Sequence, residues 1–471
     1  MLSTATPDLA MLSASTLDSR SVSVSYDVKN ASIGSPVEFA VYRSADNAFD
    51  PSDTKVGSIP VSPTLGLDGQ PALAVGKHQL TIPLADGLPP DPHQPFVLVV
   101  ANPGRQVAES NVSNNTASFR KHVVGVIVHG GLQPMDWDQG PPWERRMASA
   151  LKDQGYDKVI AYNWVPQSRT PGMAVKQSPR LASMVVDAVN TFPANEPVDV
   201  HFISHSEGSV IAGQTILKLK SDAPPQMRAG FLKDTMIDPH SANNGTPGKQ
   251  YSVSSGLLGK IAKATINTYQ SKAGDPPVIV PDNVDDAEVF YQHTPVSMTY
   301  GSNKGVYNLW GQVPVIGEAS YFNLTAPGLS HSGKFGMTDW YQINVVPTLG
   351  DGAPAIKAAT LTGDLVNPDA RTSRTSDTNR PVFAGSAAPG ASVRIFTTRA
   401  GVDQLGRVGT TTADANGNWE ITTRPIGNGH YRMLAMSDTP PLPGHLRSNF
   451  MRPMAWFGPL TIDAVQHSPR R

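Results

Sequence analysis

The fold of the chain is decided by residues 198–209, which read VDVHFISHSEGS. Residues 198–203 form an apolar run too continuous for a half-exposed strand, and a helical stretch follows at residues 209–219. A strand can turn sharply into a helix only where small residues prevent side-chain collisions, and Ser206 and Gly208 meet that requirement. The stretch therefore predicts a buried β-strand, a tight turn and a helix.

The same alternation of strand and helix extends over residues 121–348. Further continuous apolar runs occur at residues 123–128 and 158–161, and helical stretches occur at residues 143–154 and 178–191. Strands buried on both faces that alternate with helices are typical of a mostly parallel sheet with helices on both faces. An α/β domain is therefore the expected fold of this region.

The two flanking regions have a different pattern. Residues 1–120 and 349–471 contain short runs of alternating apolar and polar residues, such as SVSVSYDV at residues 21–28, separated by turn residues. The second region opens on a linker-like LGDGAPA at residues 349–355. A chain of 471 residues is too long for one hydrophobic core, because cores stop growing at about 250–300 residues. We expect a multidomain chain with an all-β sandwich on each side of the α/β domain.

Composition argues against several classes of partner. The 38 basic residues balance the 39 acidic ones, which favours neither nucleic acid nor an anionic membrane as a partner. The chain has no cysteine, so neither a disulfide nor a thiolate enters the chemistry. The apolar runs are far shorter than the roughly 20 residues of a transmembrane helix. The first residues lack a basic segment followed by an apolar one, and we expect a secretion signal to be absent or already removed.

Two loops at the ends of predicted strands carry candidate catalytic groups. Ser206 lies in the tight turn, and a serine hydroxyl becomes nucleophilic when a histidine takes its proton and an acid fixes the tautomer of that histidine. The other loop, HGGL at residues 129–132, directly follows the first apolar run. Its glycines allow backbone N–H groups to approach a developing negative charge closely. Both loops therefore suit acyl transfer.

These loops resemble motifs of the α/β-hydrolase superfamily. The sequence around Ser206 is similar to the family motif G-x-S-x-G, with Ser204 in place of the first glycine. The resemblance implies that Ser206 is the nucleophile. It also implies an oxyanion hole formed by the backbone N–H groups of Glu207 and of Gly131, with Leu132 as the alternative to Gly131. The implied activity is acyl transfer from a carboxylic ester, with no metal or organic cofactor.

The same resemblance implies the chain order serine, acid, histidine. Asp238 follows the next apolar run and resembles the acid of secreted lipase-like members. His331, within GLSHS, resembles their histidine loop and is the expected base. Asp282 is the alternative acid, and His240 and His293 are the alternative bases.

Substrate contacts are expected next to the two loops. Leu132, Trp137 and Trp164 are candidate walls for an acyl or alcohol group, although tryptophans also serve as core residues. Residues 257–269 have apolar residues at roughly helical spacing and lie between the acid and the histidine. They predict either a lid or a helix packed on the core.

Both flanking regions resemble bacterial immunoglobulin-like modules. Residues 1–120 are similar to the CARDB family of cell-surface modules in PDL at 7–9, VYRS at 41–44 and VAESN at 107–111. The last region is similar to modules of secreted and adhesive proteins in TTADANGNWEIT at 411–422. The resemblance implies an extracellular or cell-surface location and modules that hold the protein on a cell-surface or polymer ligand.

One loop of the first region offers a candidate cation site. Asp46, Asp50 and Asp53 are crowded in sequence, and carboxylate oxygens are Ca²⁺ ligands. Aspartates that cap turns are the alternative interpretation.

Three functions fit the sequence. The first is a secreted serine hydrolase, an esterase or lipase that acts on a carboxylic ester substrate. The second is a cell-surface adhesion protein whose hydrolase domain is inactive. The third is an amidase or peptidase, because the same triad serves amides.

Overall fold

The computed structural model of the chain describes residues 5–63, 71–84, 87–131, 141–242, 251–253, 272–292, 296–300, 303–307, 319–323, 331, 336–346, 355–358, 374–376, 378–386, 392–399, 406–414, 418–437 and 454–462. Several β-sheets make up the molecule, and the largest is a parallel sheet that carries helices. This confirms the prediction of a multidomain chain with an α/β core.

The first region forms two antiparallel sheets that enclose one core. Its strands are β1 (Asp8–Ser15), β2 (Ser21–Lys29), β3 (Val37–Ser44), β4 (Thr54–Val61), β5 (Gly76–Pro83), β6 (Phe96–Ala101) and β7 (Thr116–Arg120). The strand orders are β1-β2-β5 and β4-β3-β6-β7. In β2 every second residue is buried, and these residues meet apolar side chains of β3 and β6. The period of two in the sequence therefore reflects one face turned to the core.

The described part of the middle region contains nine strands and five α-helices. The strands are β8 (His122–Val128), β9 (Lys158–Tyr162), β10 (Val198–His205), β11 (Leu232–Ile237), β12 (Tyr251–Val253), β13 (Asp286–Tyr291), β14 (Val296–Tyr300), β15 (Asn303–Tyr307) and β16 (Ser320–Asn323). The helices among the described residues are α1 (Pro142–Asp153), α2 (Ser178–Val189), α3 (Gly208–Asp222), α4 (Pro225–Ala229) and α5 (Met337–Asn344), and Val175–Gln177 is a 3₁₀ turn. The helices predicted at residues 143–154, 178–191 and 209–219 are confirmed as α1, α2 and α3.

The central sheet has the order β16-β13-β11-β10-β8-β9, and all of its pairings are parallel. One face packs on α2 and α3, and the other packs on α1 and α5. Every residue of β8 and β10 is buried, as expected for strands covered on both sides. A small antiparallel sheet, β12-β15-β14, was not predicted. Residues 257–269, the candidate lid, lie outside the described residues.

The last region again consists of strands. They are β17 (Ala355–Ala358), β18 (Arg374–Ser376), β19 (Val382–Ser386), β20 (Ser392–Arg399), β21 (Gly406–Thr412), β22 (Asn418–Thr422), β23 (Gly429–Ser437) and β24 (Met454–Ile462). They form two sheets of order β17-β19-β22 and β18-β24-β23-β20-β21. The immunoglobulin-like assignment of both flanking regions stays a prediction.

A buried ion pair ties the first region to the central sheet. Lys121 Nζ lies 2.8 Å from Asp199 Oδ1 on β10, with the two side chains 1% and 0% exposed. The same ammonium donates to the carbonyl of Leu88 at 2.5 Å, and Asp199 accepts the N–H of Phe231 at 2.8 Å. Burial lowers the pKa of Lys121 to about 8 and raises the pKa of Asp199. Each charge is therefore stabilised by the other, and Arg43 adds a further positive charge near Asp199.

Removal of one partner from this pair is expected to be costly. Lys121→Met should lower the free energy of unfolding by about 3–5 kcal/mol, because the buried carboxylate of Asp199 would lose its hydrogen-bonded cation. The control is Lys55→Met, which breaks an exposed pair with Glu38 and should cost about 1 kcal/mol or less. Denaturant unfolding of both variants measures the difference. Equal effects of the two substitutions would contradict the structural role of the buried pair.

The turn after β10 brings three segments into close contact. Ser206 has a φ of 58°, in the left-handed region that non-glycine residues rarely adopt. Two residues later, a β-carbon at Gly208 would lie 2.5 Å from the carbonyl oxygens of both Val128 and His129 at the end of β8. Only glycine fits at this position, and the close approach sets the start of α3 against the end of the neighbouring strand.

A methyl group at position 208 is expected to distort this turn. Gly208→Ala should lower the free energy of unfolding by about 1–3 kcal/mol, because backbone atoms of β8 would have to move. Gly34→Ala is the matched control, since a β-carbon there meets no atom within 4 Å, and it should stay within about 0.5 kcal/mol of the wild type. Thermal and denaturant unfolding test both variants. A neutral Gly208→Ala would mean that the turn has more room than the structure indicates.

Candidate functional site

Two neighbouring strands of the central sheet carry the candidate catalytic residues at their carboxyl ends. Ser206 follows β10 and Asp238 follows β11, and the two strands pair in parallel register. Asp238 has a φ of 46°, so both residues adopt the left-handed backbone conformation. The N–H of Ser206 donates to the carbonyl of Ile237 at 3.1 Å. The carboxyl ends of parallel strands are the usual position of sites in open α/β sheets.

Asp238 and His331, which the sequence predicted as acid and base, are in direct contact. His331 Nδ1 lies 2.5 Å from Asp238 Oδ2. The carboxylate also accepts the backbone N–H of Gln292 at 3.1 Å and its side-chain amide at 2.8 Å. Burial raises the pKa of Asp238 to about 6 and lowers the pKa of His331 to about 3. At neutral pH an ionised carboxylate therefore holds a neutral imidazole with its proton on Nδ1 and its lone pair on Nε2.

The hydroxyl of Ser206 bonds to a different histidine. Ser206 Oγ lies 2.9 Å from Nε2 of His240, which sequence analysis had kept as an alternative base. Nδ1 of His240 lies 3.1 Å from the carbonyl oxygen of Ser241 and donates to it, so Nε2 is the acceptor of the serine proton. Among the described residues no hydrogen bond joins Ser206 to His331, although the two imidazole rings are 5.0 Å apart. The hydroxyl is thus bonded to His240, and the ring of His331 lies next to that imidazole.

His205 bonds to the backbone of His331, and sequence analysis did not predict this contact. Its Nε2 donates to the backbone carbonyl of His331 at 2.9 Å, and the two rings are 4.6 Å apart. Burial lowers the pKa of His205 well below its usual value, so the ring is neutral. The position of His205, directly before Ser206, was the one available signal. No pattern in the sequence connects it to residue 331.

The glycine loop after β8 lies against the nucleophile candidate. A β-carbon at Gly130 would lie 2.6 Å from Cβ and 3.0 Å from Oγ of Ser206, so glycine is needed here. Gly131 adjoins it, and Glu207 is buried at the start of α3. The assignment of the Gly131 and Glu207 N–H groups to an oxyanion hole stays a prediction.

Of the three residues predicted to contact the substrate, Trp164 is the one that the structure describes. Leu132 and Trp137 lie outside the described residues. Trp164 is completely buried, and its backbone N–H donates to His129 Nε2 at 3.0 Å while its indole N–H donates to the carbonyl of His129 at 2.7 Å. These bonds support the alternative that Trp164 is a core residue, one that holds the start of the glycine loop.

Two further alternatives from the sequence are the acid Asp282 and the base His293. Asp282 is 73% exposed and pairs with Lys220 at 2.8 Å. His293 lies outside the described residues.

The three aspartates of the candidate Ca²⁺ loop accept hydrogen bonds from backbone N–H groups of the same loop. Asp46 accepts the N–H of Ala48 at 2.8 Å, Asp50 accepts that of Ser52 at 2.6 Å, and Asp53 accepts that of Asp50 at 2.9 Å. These bonds are typical of aspartates that cap turns. Within the described part of the chain, no group of three or more His, Cys, Asp or Glu side chains is arranged to hold a metal ion.

None of the helices that the structure describes combines the length and the apolar character needed to cross a bilayer.

Comparison with known proteins gives only distant similarities. No protein-family model and no curated protein matches the chain. Phospholipase PlaB from Legionella pneumophila aligns with 11% identity over 74% of this chain and 97% of its own, with a TM-score of 0.24. RedJ thioesterase from the prodiginine biosynthetic pathway in Streptomyces coelicolor aligns with 9% identity over 37% of this chain and 71% of its own, with a TM-score of 0.21. Chitinase ChiW from Paenibacillus sp. str. FPU-7 aligns with 10% identity over 98% of this chain and 52% of its own, with a TM-score of 0.19. Scores this low carry no argument about this chain's fold or activity.

Proposed function

We propose that the chain is a serine hydrolase that cleaves carboxylic esters through an acyl-enzyme on Ser206. The observation that carries the proposal is the hydroxyl of Ser206, on a left-handed turn at the end of β10, 2.9 Å from an imidazole and beside the paired Asp238 and His331. A buried serine with a left-handed backbone is costly, and such strain is characteristic of functional sites.

In the proposed reaction His331 is the base. Its Nε2 takes the proton of Ser206 as Oγ bonds to the ester carbonyl carbon, and Asp238 stabilises the resulting imidazolium. The electron pair of the carbonyl moves to its oxygen, which the N–H groups of Gly131 and Glu207 stabilise. His331 then protonates the leaving alcohol, and water repeats the sequence to release the acid. No step uses a metal or an organic cofactor.

Glu207 is suited to this role for a further reason. It immediately precedes α3 (Gly208–Asp222), and the first N–H groups of a helix carry a partial positive charge. A negative oxygen above Ser206 would therefore meet the favourable end of the helix dipole.

The surroundings of the site remain part of the proposal. Leu132 and Trp137 are proposed to line the acyl or alcohol pocket. Trp164 is proposed to support the start of the glycine loop from within the core. The flanking β-regions are proposed as immunoglobulin-like modules of a secreted or cell-surface protein that bind a cell-surface or polymer ligand.

Esters are preferred over amides on the resemblance alone, and a series of p-nitrophenyl esters and matched anilides tests that preference.

Covalent labelling tests the nucleophile. A fluorophosphonate probe should label the wild type, and mass spectrometry should place the adduct on the peptide with Ser206. Ser206→Ala should abolish labelling and reduce hydrolysis of p-nitrophenyl acetate by a factor on the order of 10³ or more, because the attacking oxygen is gone.

Ser209→Ala is the matched control for this experiment. Ser209 is also buried, lies in the first turn of α3, and bonds to Ser204 Oγ at 3.0 Å instead of to a histidine. It should retain labelling. A wild type that does not label, or a Ser206→Ala variant that labels as well as the wild type, would remove the basis of the proposal.

The pH dependence of hydrolysis tests the role of Asp238. Since burial raises the pKa of Asp238 to about 6, the carboxylate is charged above this pH and is neutralised below it. Activity should be full above pH 7 and kcat/KM should fall about tenfold per pH unit below pH 6, because a neutral acid cannot stabilise the imidazolium. Asp282→Asn should keep this profile, and Asp238→Asn should lose most activity at every pH. A flat profile from pH 4.5 to 7 would exclude Asp238 as the acid.

A further inference from the structure

His240 is held against the turn of Ser206 by its backbone as well as by its side chain. The N–H of His240 donates to the carbonyl of Ser206 at 3.4 Å, in addition to the side-chain bond of 2.9 Å. Its side chain is buried, and burial together with the nearby His331 lowers its pKa to about 4. His240 is therefore a neutral acceptor at a fixed distance from the hydroxyl.

The segment that follows His240 is fixed too. The N–H of Ala242 donates to Oδ2 of Asp275 at 3.1 Å. Asp275 also forms a side-chain hydrogen bond with Glu207, the residue after Ser206. Hydrogen bonds thus fix the loop of His240 to Ser206 directly and to Glu207 through Asp275. The contact between His240 and Ser206 is therefore held in place by the backbone as well as by the two side chains.

The rings of His331 and His240 differ in the group that the Nδ1 atom of each ring contacts. Nδ1 of His331 faces the carboxylate of Asp238, whereas Nδ1 of His240 faces only the carbonyl of Ser241. A carboxylate stabilises an imidazolium far more than a carbonyl does, because it supplies a full negative charge. Only His331 is equipped to hold the proton of Ser206 during attack, yet His240 holds the hydroxyl in the resting site.

We propose that His240 is a resting acceptor that holds the Ser206 hydroxyl away from His331, so that reaction begins when the hydroxyl rotates from Nε2 of His240 to Nε2 of His331. The inference rests on the proposed function. Rotation about the Cα–Cβ bond of Ser206 would exchange the hydrogen bond to His240 for one to His331, whose ring lies 5.0 Å from that of His240. The O–H bond then breaks as the proton moves to His331 and Oγ bonds to the carbonyl carbon.

A resting acceptor stabilises the ground state and not the transition state, so its removal should speed the reaction. His240→Ala should react with the fluorophosphonate probe about fivefold faster than the wild type, the effect of losing one hydrogen bond. His240→Asn, whose side chain is too short to reach the hydroxyl, should also react faster and covers the case in which the alanine variant fails to fold. The acid limb near pH 6 should remain in both variants, since it follows the ionisation of Asp238.

His331→Gln serves as the comparison and should react more slowly by a factor on the order of 10³. Rates that are unchanged or reduced in folded His240 variants, as judged by circular dichroism, would overturn the role of His240. A loss as large as that of His331→Gln would make His240 the base itself. If the wild type neither labels nor hydrolyses esters, the proposed function fails, and this inference fails with it.

Discussion

The site depends on one constraint, the left-handed turn of Ser206 between two buried strands. β10 lies between β8 and β11 and is buried along its whole length, so its end cannot move away from either neighbour. The close contact of Gly208 with the carbonyls at the end of β8 forces α3 to begin immediately. A non-glycine residue in this backbone region costs on the order of 1 kcal/mol or more, and packing of the sheet offsets that cost. The hydroxyl of Ser206 is consequently held at the carboxyl end of β10, where its backbone can move little.

Burial determines how the imidazoles around this hydroxyl can act. His205, His240 and His331 are each buried, and burial lowers the pKa of each ring. All three are therefore neutral in the resting molecule, and each has one nitrogen placed against an acceptor. Two of these acceptors are backbone carbonyls, and one is the carboxylate of Asp238. Of these three rings, His331 is the one bonded to a negative charge, and the carboxylate of Asp238 therefore makes it the ring that can become a cation.

The sequence predicted the central fold because strand burial and helix periodicity are local properties. It also predicted that Asp238 and His331 belong together, since both follow from chain order and from the position of strand ends. It did not predict that the hydroxyl bonds to His240, because this depends on a side-chain rotation and on the path of the loop after β11. The role of His205 was equally hidden, since a hydrogen bond to a carbonyl 126 residues away leaves no trace in spacing.

Strand β10 of the central sheet contacts the junction with the first β-region at its start and leads into the site at its end, and this connects stability to function. β10 carries Asp199 near its start and leads into Ser206 at its end. The carboxylate of Asp199 is buried against Lys121, at the junction with the first region, and that ammonium also bonds to Leu88 within the region. Ser19 adds a bond of 2.7 Å to Asp285, which in turn accepts the N–H of Leu232 at the start of β11. The strands that present Ser206 and Asp238 are thus anchored at their opposite ends by the first region, which acts as part of the scaffold of the site.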